Sequence, residues 1–90
     1  MSAVTVSFIG VLVRRCPPLL PLLQQHLDDQ EGEVLPHLFM ADVAGWCESA
    51  VHDGLEGELQ NVLSVLEEEF AGGDPQIEEL IAVSFLGLHP

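Results

Sequence analysis

Between Leu35 and Val51 the apolar residues Leu35, Leu38, Phe39, Val43, Trp46, Cys47, Ala50 and Val51 recur at intervals that keep them on one wide face of a helix. A strand would place apolar residues at every second position, which this segment does not do. Asp53-Gly54 ends the series, and another begins at once with Leu55, Leu59, Val62, Leu63, Leu66 and Phe70, closed by Gly72-Gly73. So short a connection predicts that the two helices run back along each other as an antiparallel hairpin.

The flanking segments extend the helical pattern. Asp74-Pro75 supplies an N-cap acid followed by proline at the first helical position, and Ile77, Leu80, Ile81, Phe85 and Leu88 form the expected buried face of a fifth helix. Because Val83 and Leu86 lie outside that face, this helix is apolar nearly all round, and belongs either at the centre of the core or under a covering element. Upstream, Leu19, Leu22, Leu23 and Leu27 fall at helical spacing, with Pro18 and Pro21 tolerable in the first turn. Asp28-Asp29-Gln30-Glu31-Gly32-Glu33 reads as a solvated linker. It is no calcium loop, since its glycine is misplaced relative to any leading aspartate and the closing glutamate is missing.

From Ser2 to Arg15 a helical stripe of Val4, Phe8, Val11 and Leu12 competes with the strand-like alternation of Val4, Val6 and Phe8. Arg14 and Arg15 suit a helix C-terminus, and Pro17-Pro18 would stop a helix there, which favours the helical reading. The expectation for residues 1–90 is a single all-α domain, a compact bundle of about four or five short helices with a C-terminal antiparallel helical hairpin.

Charge narrows the partners. The chain is 48% hydrophobic, with 2 Lys or Arg against 15 Asp or Glu and a formal net charge of −13. It is too apolar for a disordered acidic tail and too negative for a phosphate-binding surface, for which Arg14-Arg15 is the only candidate. No nucleic-acid ligand is expected; a basic protein is. Cys16 and Cys47 have neither C-x-x-C nor Cys/His ligand spacing and are expected to be free thiols. The apolar stretch Ala3 to Val13 has its positive charges after it, the reverse of a signal peptide, and is too short to span a bilayer, so no membrane partner and a cytoplasmic location are expected.

Two acidic features stand out. Glu67, Glu68 and Glu69 occupy the last turn of the fourth helix, where negative charge meets the negative end of the macrodipole and each like charge costs about 0.3–1 kcal/mol. Asp74, Glu78 and Glu79 stand across the Gly72-Gly73 turn, so these carboxylates should gather near one end of the hairpin, either as an ordinary solvated face or as an acidic rim that docks a cationic cleft. Asp42 falls by helical phase within the apolar arc of the third helix, between Leu35, Leu38 and Trp46. As a buried acid it would cap a neighbouring helix, pair with Arg14 or Arg15, or meet a partner. Trp46 on that face is expected in the core.

Catalysis and cofactors find little support. His26, His37, His52 and His89 are dispersed, and only Glu48 with His52 has a ligand spacing, too few groups for a metal site. Cys16 and Cys47 have no Lys or Arg nearby in sequence except Arg14-Arg15, no oxyanion-type glycine loop is present, and so small a helical domain would scarcely enclose a substrate pocket. No enzyme activity, metal or cofactor is expected.

Leu35-Pro36-His37-Leu38-Phe39-Met40-Ala41-Asp42 with Trp46, and Leu80-Ile81-Ala82-Val83-Ser84-Phe85-Leu86, resemble the "LLPH…GD…W" and "LIAV-FL" motifs of a family of short, uncharacterised bacterial helical proteins, with Ala41 where that family more often has glycine. Members of that family resemble immunity proteins encoded beside secreted antibacterial toxins. The resemblance implies a chain that binds and neutralises a cognate protein toxin; the charge pattern adds the expected mode, occlusion of a cationic active-site cleft, with Glu67, Glu68, Glu69, Asp74, Glu78, Glu79 and, more weakly, Asp42 as the contact set. Two other functions fit the residues. One is a cytosolic regulatory or adaptor module, in which surplus apolar surface on the last helix makes a homodimer. The other is a DNA-mimic inhibitor whose carboxylates copy phosphate spacing.

Overall fold

The computed structural model describes residues 3–86, and five α-helices follow one another among them: α1 (Ala3–Arg15), α2 (Leu20–Asp29), α3 (Pro36–Asp53), α4 (Glu56–Ala71) and α5 (Pro75–Leu86). Ser2 and Leu88, assigned by the sequence to the first and last helices, lie outside the described residues. The fold is all-α. The first segment is helical despite its β-branched residues, because Phe8, Ile9, Leu12 and Val13 share one buried face and tertiary packing outweighs the weak intrinsic preference.

Pro17–Leu19 forms a 3-10 turn between α1 and α2, across which the chain bends by 116°. Proline cannot continue the α1 hydrogen-bond ladder, so the bend falls where the sequence forbids the helix. No single helix among the described residues is long and apolar enough to cross a membrane. At the far end of α2 the linker is a tight reversal rather than a loose loop: Glu31 and Gly32 both take positive φ, at 54° and 83°, and the Gly32 N–H donates to the Leu27 carbonyl at 2.7 Å.

The hairpin forms as its punctuation requires. Gly54 adopts φ 74° after α3, a conformation that costs an L-residue about 1–2 kcal/mol and glycine little, and the following Leu55 N–H closes on the Ala50 carbonyl at 2.9 Å. At the start of α5, Asp74 Oδ1 accepts from the Gln76 N–H at 2.8 Å and, more loosely, from the Ile77 N–H at 3.4 Å, the N-cap that Asp74-Pro75 predicts.

One buried cluster joins the bundle: Phe8, Ile9 and Leu12 of α1, Phe39, Met40 and Val43 of α3, Val62, Val65 and Leu66 of α4, and Ile77, Leu80 and Ile81 of α5, with Cys16 and Leu19 at the bend. Leu22 and Leu23 bring α2 against it, and Trp46 packs on its edge half-buried. α5 touches α1, α3 and α4, so its all-round apolar character reflects a central position.

Candidate protein-binding surface

The core does not use all of the hairpin's apolar face. On α4 the buried side chains are Val62, Val65 and Leu66, whereas Leu63 and Phe70, and Leu55 just before the helix, remain 40%, 39% and 39% exposed. Val51, at the end of α3, is 64% exposed. The stripe read from the sequence is wider than the arc that α5 and α1 can cover, and its uncovered edge borders an open groove.

That groove encloses about 580 Å³. Its α3 wall is Ala41, Ala44, Gly45, Glu48 and Val51, its α4 wall Leu59 and Leu63, and Cys47, Ser84 and Phe85 complete it. The wall positions 41, 44, 45 and 48 share a helix face because they are spaced by three and four, opposite the face that α3 packs into the core. A second hollow of about 360 Å³ lies between α4 and α5, lined by Leu63, Leu66, Glu67, Phe70, Ala71, Ile81 and Phe85. Leu63 and Phe85 line both hollows, so the two adjoin across that pair.

The carboxylates expected to form one rim are divided among three surroundings. Successive residues of an α-helix point about 100° apart. Accordingly Glu67 lines the α4–α5 hollow, Glu68 pairs with Arg15 of α1, and Glu69 lines a third hollow of about 350 Å³ beside Phe8, Val11 and Ile77. Asp74 is occupied in capping α5; Glu78 is half-buried in that helix's first turn and Glu79 is exposed. Arg15 hydrogen-bonds to the Glu68 carboxylate and attracts it, which holds that carboxyl below its ordinary range, and the same hydrogen bond raises Arg15. Asn61 adds a second tie between α1 and α4, its Nδ2 donating to the Arg15 carbonyl at 2.9 Å and lying 3.6 Å from Cys16 Sγ.

Asp42 is exposed, contrary to its expected place in the apolar arc. The buried arc of α3 is Phe39, Met40, Val43 and Ala50, rotated toward Met40 and away from Leu38, which is itself 51% exposed. The periodicity admits either phase; packing of Met40 and Ala50 decides it. Asp42 therefore neither caps a helix from within the core nor belongs to the groove wall.

His26 is the functional-looking group that pattern reading passed over. It is 3% exposed, its Nε2 accepts the Leu35 N–H at 3.0 Å, and its ring meets Phe39 edge-on at 5.7 Å. The contact fastens the end of the α2–α3 linker to α2, a structural role. Cys16 and Cys47 are free thiols, and burial pushes both above the ordinary thiol range, which makes them poor nucleophiles. Among the described residues no three His, Cys, Asp or Glu side chains converge as metal ligands.

These helices define an all-α protein built on one bundle core, with an apolar groove left open along its central hairpin. The chain belongs to the family known as the domain of unknown function DUF7674, whose pattern matches residues 9–87. Comparison with curated proteins and with solved structures gave no match.

Proposed function

We propose that this chain is a protein-binding inhibitor: it docks on a basic protein and blocks it, as the immunity partner of a secreted bacterial toxin with a cationic active-site cleft. The observation that carries the reading is the open apolar groove on a chain of net charge −13. Apolar anchors in such a groove hold a complex once formed, while the negative field accelerates encounter with a cationic surface and turns anionic ligands away. Glu67 and Phe70 bring charge and apolar surface together on one hollow, and Glu78 and Glu79 add negative charge on α5. Glu68 and Asp74 contribute to the field while serving the fold; Glu69 and the exposed Asp42 add to it from other sides. The toxin-immunity role takes its support from the motif resemblance of Leu35 to Asp42 and Leu80 to Leu86.

The test is co-expression with the product of the neighbouring reading frame in a host that this product arrests. Wild-type chain restores growth, and the triple substitution Glu67→Gln, Glu78→Gln, Glu79→Gln weakens the rescue. A neighbouring product that is a metabolic enzyme without toxicity sinks the immunity role.

A further inference from the structure

We infer that the groove between α3 and α4 seats a basic amphipathic helix of the partner, its apolar stripe against Leu59, Leu63 and Phe85 and its cations beside Glu48 and Glu67. This inference rests on the protein-binding reading and specifies the form of the occupant.

Shape is the first support. The hollows of about 580 Å³ and 360 Å³ adjoin across Leu63 and Phe85, so apolar surface lies on both sides of that pair, as a helix with anchors on successive turns requires. The α3 wall is the second. Gly45 lies in the interior of α3 without a positive φ, and a Cβ built there meets nothing within 4 Å. Neither backbone conformation nor internal packing calls for glycine, which weakens a helix interior relative to alanine. With Ala41 and Ala44 beside it, the missing side chain lowers the wall and lets an external backbone come close.

Charge is the third support, and it selects among occupants. Acidic Glu48 and Glu67 border the apolar floor, so a helix with lysines or arginines flanking its apolar stripe is matched at both. A second copy of the chain is mismatched, since it would set −13 against −13 and bring the same carboxylates to the interface.

The probe is a synthetic helical peptide of leucine and lysine with leucines at i, i+3, i+4 and i+7, titrated by fluorescence anisotropy onto the full chain. Wild type binds it saturably, and the bound peptide slows alkylation of the groove-lining Cys47. Gly45→Leu, which fills the groove from its open wall, weakens binding by about tenfold or more while keeping the wild-type unfolding midpoint or raising it. Glu48→Gln with Glu67→Gln weakens binding and flattens its salt dependence, whereas Glu31→Gln with Glu33→Gln, in the α2–α3 linker and lining neither hollow, leaves it unchanged.

Equal affinity in wild type and folded Gly45→Leu overturns the inference, as do equal losses from the groove and linker acid pairs. A wild-type dimer in sedimentation that Gly45→Leu abolishes assigns the groove to a second copy instead. Tighter peptide binding in Leu88→Ser assigns it to the chain's own C-terminal residues. Growth rescue separates this inference from the broader reading: rescue retained by Gly45→Leu leaves the inhibitor role standing and removes only the helix from the groove. Absence of rescue by the wild type removes the inhibitor role itself.

Discussion

His26 shows how a single side chain can fix a connection that carries no regular structure. Its Nε2 serves as the acceptor for the Leu35 N–H on the approach to α3, so replacing it by leucine keeps the bulk and leaves that N–H without its partner. His26→Leu should destabilise the fold by about 1–3 kcal/mol, read as a lower denaturant midpoint with an unchanged slope. Nothing in the spacing of the four histidines distinguished this one, because its role depends on a residue that the chain brings back nine positions later.

Arg15 and Glu68 make a different prediction. The depressed Glu68 carboxyl binds its proton less readily in the folded than in the unfolded chain, so its stabilising contribution is present above the unfolded value and fades as pH falls through the folded one. At neutral pH Arg15→Gln should lie below wild type in stability. The two curves should converge under acid conditions, with a small gap throughout because both side chains are exposed to solvent.

Among the elements, α4 separates what the sequence reveals from what it hides. Its helical nature, its start after Gly54 and its end at Gly72-Gly73 follow from punctuation and period, and so does its pairing with α3. The division of its apolar stripe does not. Leu63 and Phe70 satisfy the same periodicity as Val62 and Leu66, and only the placement of α5 and α1 determines which pair is enclosed. The same ambiguity of phase misplaced Asp42 on α3. Glycines at positions 72 and 73 also say nothing about which way Glu67, Glu68 and Glu69 point, so a run that looks like one charged patch in sequence meets three different surroundings, of which only that of Glu68 is an ion pair.

The split of apolar roles can be measured. Leu80→Ala, from the 1%-exposed centre of α5, should cost about 2–5 kcal/mol. Phe70→Ser, on the open side of α4, should cost about 1 kcal/mol or less and act instead on partner binding. Thermal melts of the two variants beside a binding assay would show stability and recognition drawn from different sides of one bundle.

For the molecule as a whole, the excess of 13 negative charges opposes compaction as surely as it promotes encounter with cations. Added monovalent salt screens that self-repulsion, so the melting temperature of the isolated chain should rise between low and moderately high ionic strength. The same salt should slow association with a basic partner. A chain whose melting temperature falls steadily with salt would show instead that local attractions such as Arg15 with Glu68 outweigh the net repulsion.

The two ties that Arg15 and Asn61 make between α1 and α4 have a mechanical consequence. They brace α4 from behind, so one jaw of the groove is already held before anything arrives, and an incoming segment spends little of its binding energy on ordering that side. Adaptation falls to the α3 jaw, where small residues leave room to yield. Loosening the brace should therefore weaken capture at a distance, mainly by hastening release.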